Sequence, residues 1–197
     1  MSNVFVTSDW HFGHKNIIKY CNRPFESVEQ MDSALIEIWN SQVGSEDLVY
    51  FLGDFTFNRD HSKTDGALVS LLERLNGKKA FVLGNHDNHL EARLRAAMYR
   101  QNGGVWNVTP YHEVRHNGRR VVMFHYPITE WNGSHRDTVH LHGHCHGSRK
   151  DLPGRLLDVG IDAHPEFKLW TLDEAIAAAD ANFENTKTRF VMHQTGE

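Results

Sequence analysis

Residues 79–87 read Lys79-Ala80-Phe81-Val82-Leu83-Gly84-Asn85-His86-Asp87. Five residues with the composition of a buried strand run directly into a glycine and three polar groups. The same change occurs twice upstream: Val4 to Ser8 leads into Asp9 and, two residues on, His11, and the apolar run Leu48 to Leu52 ends on Gly53-Asp54. Between these runs lie helical signals. Ser27-Val28-Glu29-Gln30 has the form of a capping box opening a helix to about Ser41, with Met31, Leu35, Ile38 and Trp39 at helical spacing. Gly66 to Leu75 reads as a second helix closed by Asn76-Gly77, and His89 to Arg100 as a third.

Beyond position 110 the pattern becomes strand-rich. Tyr111 to Arg115 and Arg120 to Phe124 flank Asn117-Gly118, a hairpin signal. Val139 to His142 and Leu156 to Val159 read as further strands, and Thr171-Leu172-Asp173-Glu174 caps an alanine-rich helix to about Ala181. The last dozen residues read as a strand or a loose tail. The expected class is α/β (α+β), two sheets packed together with helices outside, in a single domain over 1–197. The 197 residues are 40% hydrophobic and 23% charged, and no apolar run approaches the roughly 18 residues that would span a bilayer. No secretory signal is visible. Cys21 and Cys145 form no CxxC pair, so reduced thiols in the cytoplasm are expected. A net charge of −4 argues against a broadly basic surface for long nucleic acid.

Five short motifs carry candidate chemistry: Asp9-x-His11, Gly53-Asp54, Gly84-Asn85-His86-Asp87, His125 and Gly143-His144-x-His146. Each follows a predicted strand or lies just past its end, where a rigid scaffold commonly displays reactive groups. In extended backbone the i, i+2 pairs Asp9/His11 and His144/His146 would face one side. Imidazole and carboxylate without thiolate suit Mn, Fe, Zn, Co or Ni. Seven potential ligands, Asp9, His11, Asp54, Asn85, His125, His144 and His146, are too many for one tetrahedral ion and fit two divalent ions sharing a carboxylate. Two such ions offset by Asp9 and Asp54 leave positive charge to attract a phosphate.

The five motifs in this order resemble the calcineurin-like metallophosphoesterases. The resemblance spans residues 9–146 and implies a four-layer double β-sandwich flanked by helices. It implies one ion on Asp9, His11, Asp54 and His146, with Asp54 bridging to a second held by Asn85, His125 and His144. It implies His86 as general acid or transition-state stabiliser, oriented by Asp87, and attack on phosphorus by a bridging hydroxide. Leu157-Asp158-Val159-Gly160 also looks like the family's strand after the last motif. Two departures narrow the branch. Gly53-Asp54-Phe55-Thr56-Phe57-Asn58-Arg59 lacks the continuation found in the family's protein phosphatases, and Phe57 stands where purple acid phosphatases carry a metal-binding tyrosine. What remains resembles small bacterial and phage-type phosphodiesterases. This implies a small phosphorylated substrate, nucleotide-type among the options, with manganese favoured. A monoesterase and a nuclease stay open as alternatives, and a non-catalytic scaffold is set against the complete ligand set.

Further residues are candidates at one remove. His14, Asn16 and Arg23 could reach a leaving group or second phosphate, and Tyr126 follows His125 directly. Trp131, His135 and Arg136 could stack a base and pair a phosphate, or belong to an ordinary surface loop. His140 and His142 read as strand residues, Cys145 as an apolar filler pointing away from the ions, and His61, His89, His112, His116, His135, His164 and His193 as solvated.

Overall fold

The computed structural model describes residues 2–57, 65–87, 90–101, 108–149 and 151–194. The apolar runs of the first half become strands β1 (Val4–Thr7), β2 (Leu48–Phe51) and β3 (Lys78–Val82), joined in parallel. A short helix that no sequence signal announced, α1 (Ile17–Tyr20), follows β1, and the three helical signals become α2 (Val28–Gln42), α3 (Asp65–Glu73) and α4 (Glu91–Gln101). The Ser27 hydroxyl accepts the Gln30 N–H at 3.1 Å and so caps α2. β4 (Val108–Thr109) extends the sheet in parallel beyond β3, and β9 (Trp170–Thr171) closes its other edge antiparallel to β1, in the order β4-β3-β2-β1-β9.

The second half forms the other sheet, β5 (Tyr111–His116), β6 (Arg119–Phe124), β7 (Val139–His142) and β8 (Leu156–Asp158), in sequence order. β5 and β6 are the expected hairpin, whereas β6, β7 and β8 run parallel. Helix α5 (Leu172–Gln194) follows β9, and Thr171 and Glu174 form a reciprocal capping box at its start. Residues up to 194 are therefore helical where a strand or loose tail was expected.

Strand alternation distributes the core. One face of the first sheet (Phe5, Val49, Phe51, Phe81) packs against Met31, Leu35 and Trp39 of α2, Leu68 and Leu72 of α3, and Leu94 and Met98 of α4. Its other face (Val6, Val82, with Leu52 just beyond β2) meets Val121, Met123, Val139, Leu141 and Leu157 of the second sheet and Leu172, Ala175 and Ile176 of α5. The chain thus has two sheets flanked by helices. The outer face of the second sheet, marked by Val122 and Leu156, is covered by Trp131 from the loop after β6.

That loop decides against the first of the two readings left open for it, the one that stacks a base. Trp131 is 8% exposed, packs 5.2 Å from the His140 ring and is absent from the cleft described below. His135 and Arg136 line a separate 350 Å³ cavity with Arg115, Arg119 and Arg120. The apolar outer face of the sheet had to be covered, and this aromatic covers it. His140 and His142 are strand residues as read, but both are fully buried. His164 is buried against Trp170 rather than solvated, with ring centroids 4.3 Å apart, and His112 is half-buried beside Tyr50. Asn58, Arg59, His61 and His89 lie outside the described residues, as does the side chain of His193.

Candidate metal centre

Strands β1, β2, β3, β6 and β7 each deliver one motif from their C-terminal ends; four of the motifs line one cleft of about 1050 Å³, and His125 is buried behind its wall against Asn85. The local backbone differs from the extended form that the i, i+2 spacings suggested. Asp9, His11, Asp54, His144 and His146 all have left-handed φ, at 60°, 52°, 57°, 70° and 48°. Such values are uncommon for non-glycine residues, and they gather where surrounding bonds impose them for function. Here the bonds are visible. Asp9 N–H donates to Gly53 O at 3.0 Å and His11 N–H to Asp54 O at 3.1 Å, zipping the loops after β1 and β2 together. Glycines make the close approach possible. A Cβ on Gly84 would collide with Asp54, and one on Gly143 with Ser8 and Asp9.

The side chains form two adjoining groups. Ligand atoms of Asp9, His11 and His146 lie within 4.8 Å of one another, as do those of Asp54, His125 and His144. The Asp54 carboxylate faces both groups, with Oδ2 3.6 Å from His11 Nε2 and Oδ1 3.6 Å from His125 Nε2. Asn85 Oδ1 lies 2.9 Å from His125 Nε2 and 3.0 Å from His144 Nδ1.

Hydrogen bonding shows what these groups are suited to hold. His125 Nδ1 donates to Leu52 O at 2.8 Å, and burial pushes its pKa down to about 4, so the ring is neutral and Nε2 carries a lone pair. That lone pair faces the oxygens of Asn85 and Asp54, acceptor against acceptor, which a cation would relieve. In the other group, Asp9 Oδ1 and both ring nitrogens of His11 are buried without a hydrogen-bond partner. Burial raises Asp9 to about 8 against the opposing charge of His146, and burial with nearby His146 pushes His11 far below its usual value. A buried acid beside the uncharged ring of His11, with orphaned atoms converging, is a donor set suited to a divalent ion. Burial also raises Asp54, opposed by the His86 N–H bond to its Oδ1 at 2.9 Å.

Two residues have duties other than those expected. Arg23 is 4% exposed and does not line the cleft. It donates to both oxygens of Asp162 at 2.8 Å, to Trp10 O at 2.8 Å, to Asp9 O at 2.7 Å and to Met31 Sδ at 3.5 Å. All five N–H donors are engaged, so none is left for a phosphate. Arg23 instead braces the left-handed turn at Asp9. Asp87 is fully buried, and its carboxylate accepts the N–H groups of Asp54 (2.7 Å), Gly84 (2.9 Å) and Phe55 (3.1 Å). It ties the second and third motifs together rather than gripping the His86 ring.

His86, with its side chain 38% exposed, stands in the cleft with Nε2 3.9 Å from Asp54 Oδ2. His14 and Tyr126 also line the cleft, with exposed Asn16. Cys145 is half-buried on the cleft wall near His142 and Asp158, not the apolar filler expected, because the turn at His144 breaks strand alternation.

Asp162 was missed in the sequence. It accepts from His146 Nδ1 at 2.7 Å while pairing with Arg23, leaving His146 Nε2 facing Asp9 Oδ1 at 3.9 Å. Burial alone would lower His146, but its hydrogen bonds to Asp162 and Cys21 and the charge of Asp9 raise it to about 10. The only signal was an acid just after Leu157-Asp158-Val159-Gly160. Asp162→Asn removes the charge that orients His146, and it should weaken divalent-ion affinity about 10–100-fold in a chelator-competition titration. Unchanged affinity would count against the orienting role.

Comparisons with known proteins bear on the family and the fold. The profile of a family described as calcineurin-like phosphoesterase matches residues 2–183. An uncharacterized protein of Methanocaldococcus jannaschii is 35% identical over 151 residues, covering 77% of this chain and 73% of that protein. The gene 66 protein of Mycobacterium phage D29 is 32% identical over 189 residues, covering 83% and 89%. The gene 66 protein of Mycobacterium phage L5 is 30% identical over 200 residues, covering 83% and 88%. The crystal structure of an Aquifex aeolicus protein of unknown function superposes with a TM-score of 0.63 at 22% identity, over 90% of this chain and all (100%) of that one.

Proposed function

This chain belongs to the calcineurin-like phosphoesterase family, whose members hydrolyse phosphate esters with metal ions, and on that premise we propose that it is a two-ion phosphodiesterase. The observation that carries the two-ion reading is the Asp54 carboxylate, with one oxygen toward each ligand group. Asp9, His11, Asp54 and His146 would hold one ion, and Asp54, Asn85, His125 and His144 the other. Bound there, divalent ions, manganese being the first choice, would supply Lewis acidity toward phosphoryl oxygens and a water of lowered pKa.

The protein's own groups supply the rest. His86 stands beside the shared carboxylate with its ring open to the cleft, placed to hand a proton to the departing alkoxide. Asp87 holds the loops of Asp54 and Asn85 in register, and the short bonds between the turns keep the ligands in place before substrate arrives. The preference for a diester follows from charge. Among the described residues lining the cleft the one Lys or Arg is Arg149, and it is paired with Asp151 at 3.1 Å. A monoester dianion calls for more fixed positive charge than a diester monoanion. Among the described residues no helix is long and apolar enough to cross a membrane.

Protein stripped of metal and reconstituted with manganese should hydrolyse an aryl methyl phosphodiester at least about tenfold faster, in kcat/KM, than the matching aryl monoester, a difference of about 1.4 kcal/mol. Monoester preference would transfer the reading to a phosphomonoesterase.

A further inference from the structure

Among the described residues four large hydrophobic side chains remain exposed: Tyr20 at 75%, Phe57 at 42%, Tyr111 at 38% and Tyr126 at 37%. All but Tyr111 stand on the wall of the cleft. Scattered surface aromatics need no explanation, but three around one polar site do. Phe57 is held on fixed backbone, its N–H bonded to Phe12 O at 2.9 Å, and Tyr126 O accepts from His140 Nε2 at 3.2 Å.

The three rings divide between the two sides of the shared carboxylate. Tyr126 lies 4.9 Å from the His125 ring and 4.7 Å from the His144 ring. On the other side, Phe57 stacks on His14 at 4.1 Å and 22° and meets His86 edge-on at 5.1 Å. Tyr20 lies 6.3 Å beyond His14, which is itself 5.4 Å from His11. A phosphorus atom between the ligand groups therefore has an aromatic surface on each flank, and His86 belongs to the Phe57 flank.

We infer that the substrate is a dinucleoside-type phosphodiester bearing a flat ring on each arm, the leaving arm against Phe57 and His14 and the retained arm against Tyr126. This rests on the phosphodiesterase reading above. Aromatic faces stack any base, so the site selects for rings on both arms rather than for base identity. A monoester, having one arm, leaves one flank bare.

The test compares kcat/KM of the manganese-loaded protein for thymidine para-nitrophenyl phosphate and methyl para-nitrophenyl phosphate, which share a leaving group and differ in the retained arm. The parent should favour the thymidine diester about tenfold, the scale of one base–aromatic stack. Tyr126→Ala should collapse that ratio toward one, and Tyr126→Phe should keep it. Phe57→Ala should lower both substrates together and leave the ratio intact, because both carry the leaving ring. Calorimetric titration with an uncleaved dinucleoside methylphosphonate, whose uncharged centre offers the ions little, should show about tenfold weaker binding in Tyr126→Ala and in Phe57→Ala.

A ratio unmoved by Tyr126→Ala, or equal methylphosphonate affinity in parent and variants, overturns the two-ring assignment. A parent that cleaves the methyl diester without preferring thymidine overturns it and leaves the phosphodiesterase reading standing. A parent that cleaves para-nitrophenyl phosphate and neither diester overturns both.

Discussion

Asp54→Asn should retain the fold, bind no more than one ion per chain and lose on the order of 10³-fold in kcat/KM, since metal-ion stabilisation of the transition state is worth several kcal/mol. The replacement is isosteric, so the consequences isolate the charge. The Asp54 turn is held by backbone bonds to His11 and Asp87, which the substitution does not touch. What it removes is the anion facing both groups, with His11 Nε2 and His125 Nε2 each 3.6 Å away. Plasma emission analysis of protein dialysed against manganese checks the stoichiometry. Two ions in the Asp54→Asn protein would refute the shared-ligand assignment.

Stability of the metal-free forms gives an independent reading. Burial raises the Asp54 pKa above its ordinary value. The native state then binds a proton more tightly than the unfolded chain does. Its contribution is full below the unfolded carboxylate range and is lost as pH rises through the raised value. A neutral amide escapes that loss, so at neutral pH metal-free Asp54→Asn should melt at or above the temperature of the metal-free parent. A large fall in melting temperature would show that the substitution damages the fold and not only the ion site.

Strands β1, β2 and β3 were legible because each is a short apolar run broken by Gly or Asp, as at Leu83-Gly84-Asn85, and β6 because it flanks the turn at Asn117-Gly118. The N-cap at Ser27 and the capping box at Thr171 were legible because their hydrogen bonds are local in sequence. The conformation that makes the ligands converge was not. The left-handed turns at Asp9, Asp54 and His144 arise from bonds between loops distant in sequence, such as Asp9 to Gly53 and His144 N–H to Asp9 Oδ2 at 2.9 Å. Spacing alone suggested extended backbone, which reaches a similar grouping by the wrong geometry. Arg23 and Trp131 failed for one shared reason. A cation or an aromatic near a motif looks available for substrate until the fold shows what else needs it. Asp162 and the outer sheet face already needed these two.

His86→Ala separates two roles that the same position would permit. The ring is open to the cleft, its backbone N–H is bonded to Asp54 Oδ1, and it is no member of either ligand group. The substitution should therefore leave two ions bound while lowering kcat about 10²–10⁴-fold, the usual contribution of a positioned acid, with KM little changed. Leaving-group chemistry then discriminates. If His86 delivers a proton to the departing oxygen, the loss should concentrate on dialkyl diesters, whose alkoxide needs that proton. It should nearly vanish for para-nitrophenyl esters, whose phenolate leaves without it. If His86 instead stabilises charge on the equatorial oxygens, both substrates suffer alike. The stack of Phe57 against His14 and its edge contact with His86 favour the first outcome, because they place the ring on one flank of the cleft rather than above its centre. Undiminished turnover of both substrates by metal-replete His86→Ala would remove His86 from the chemistry altogether.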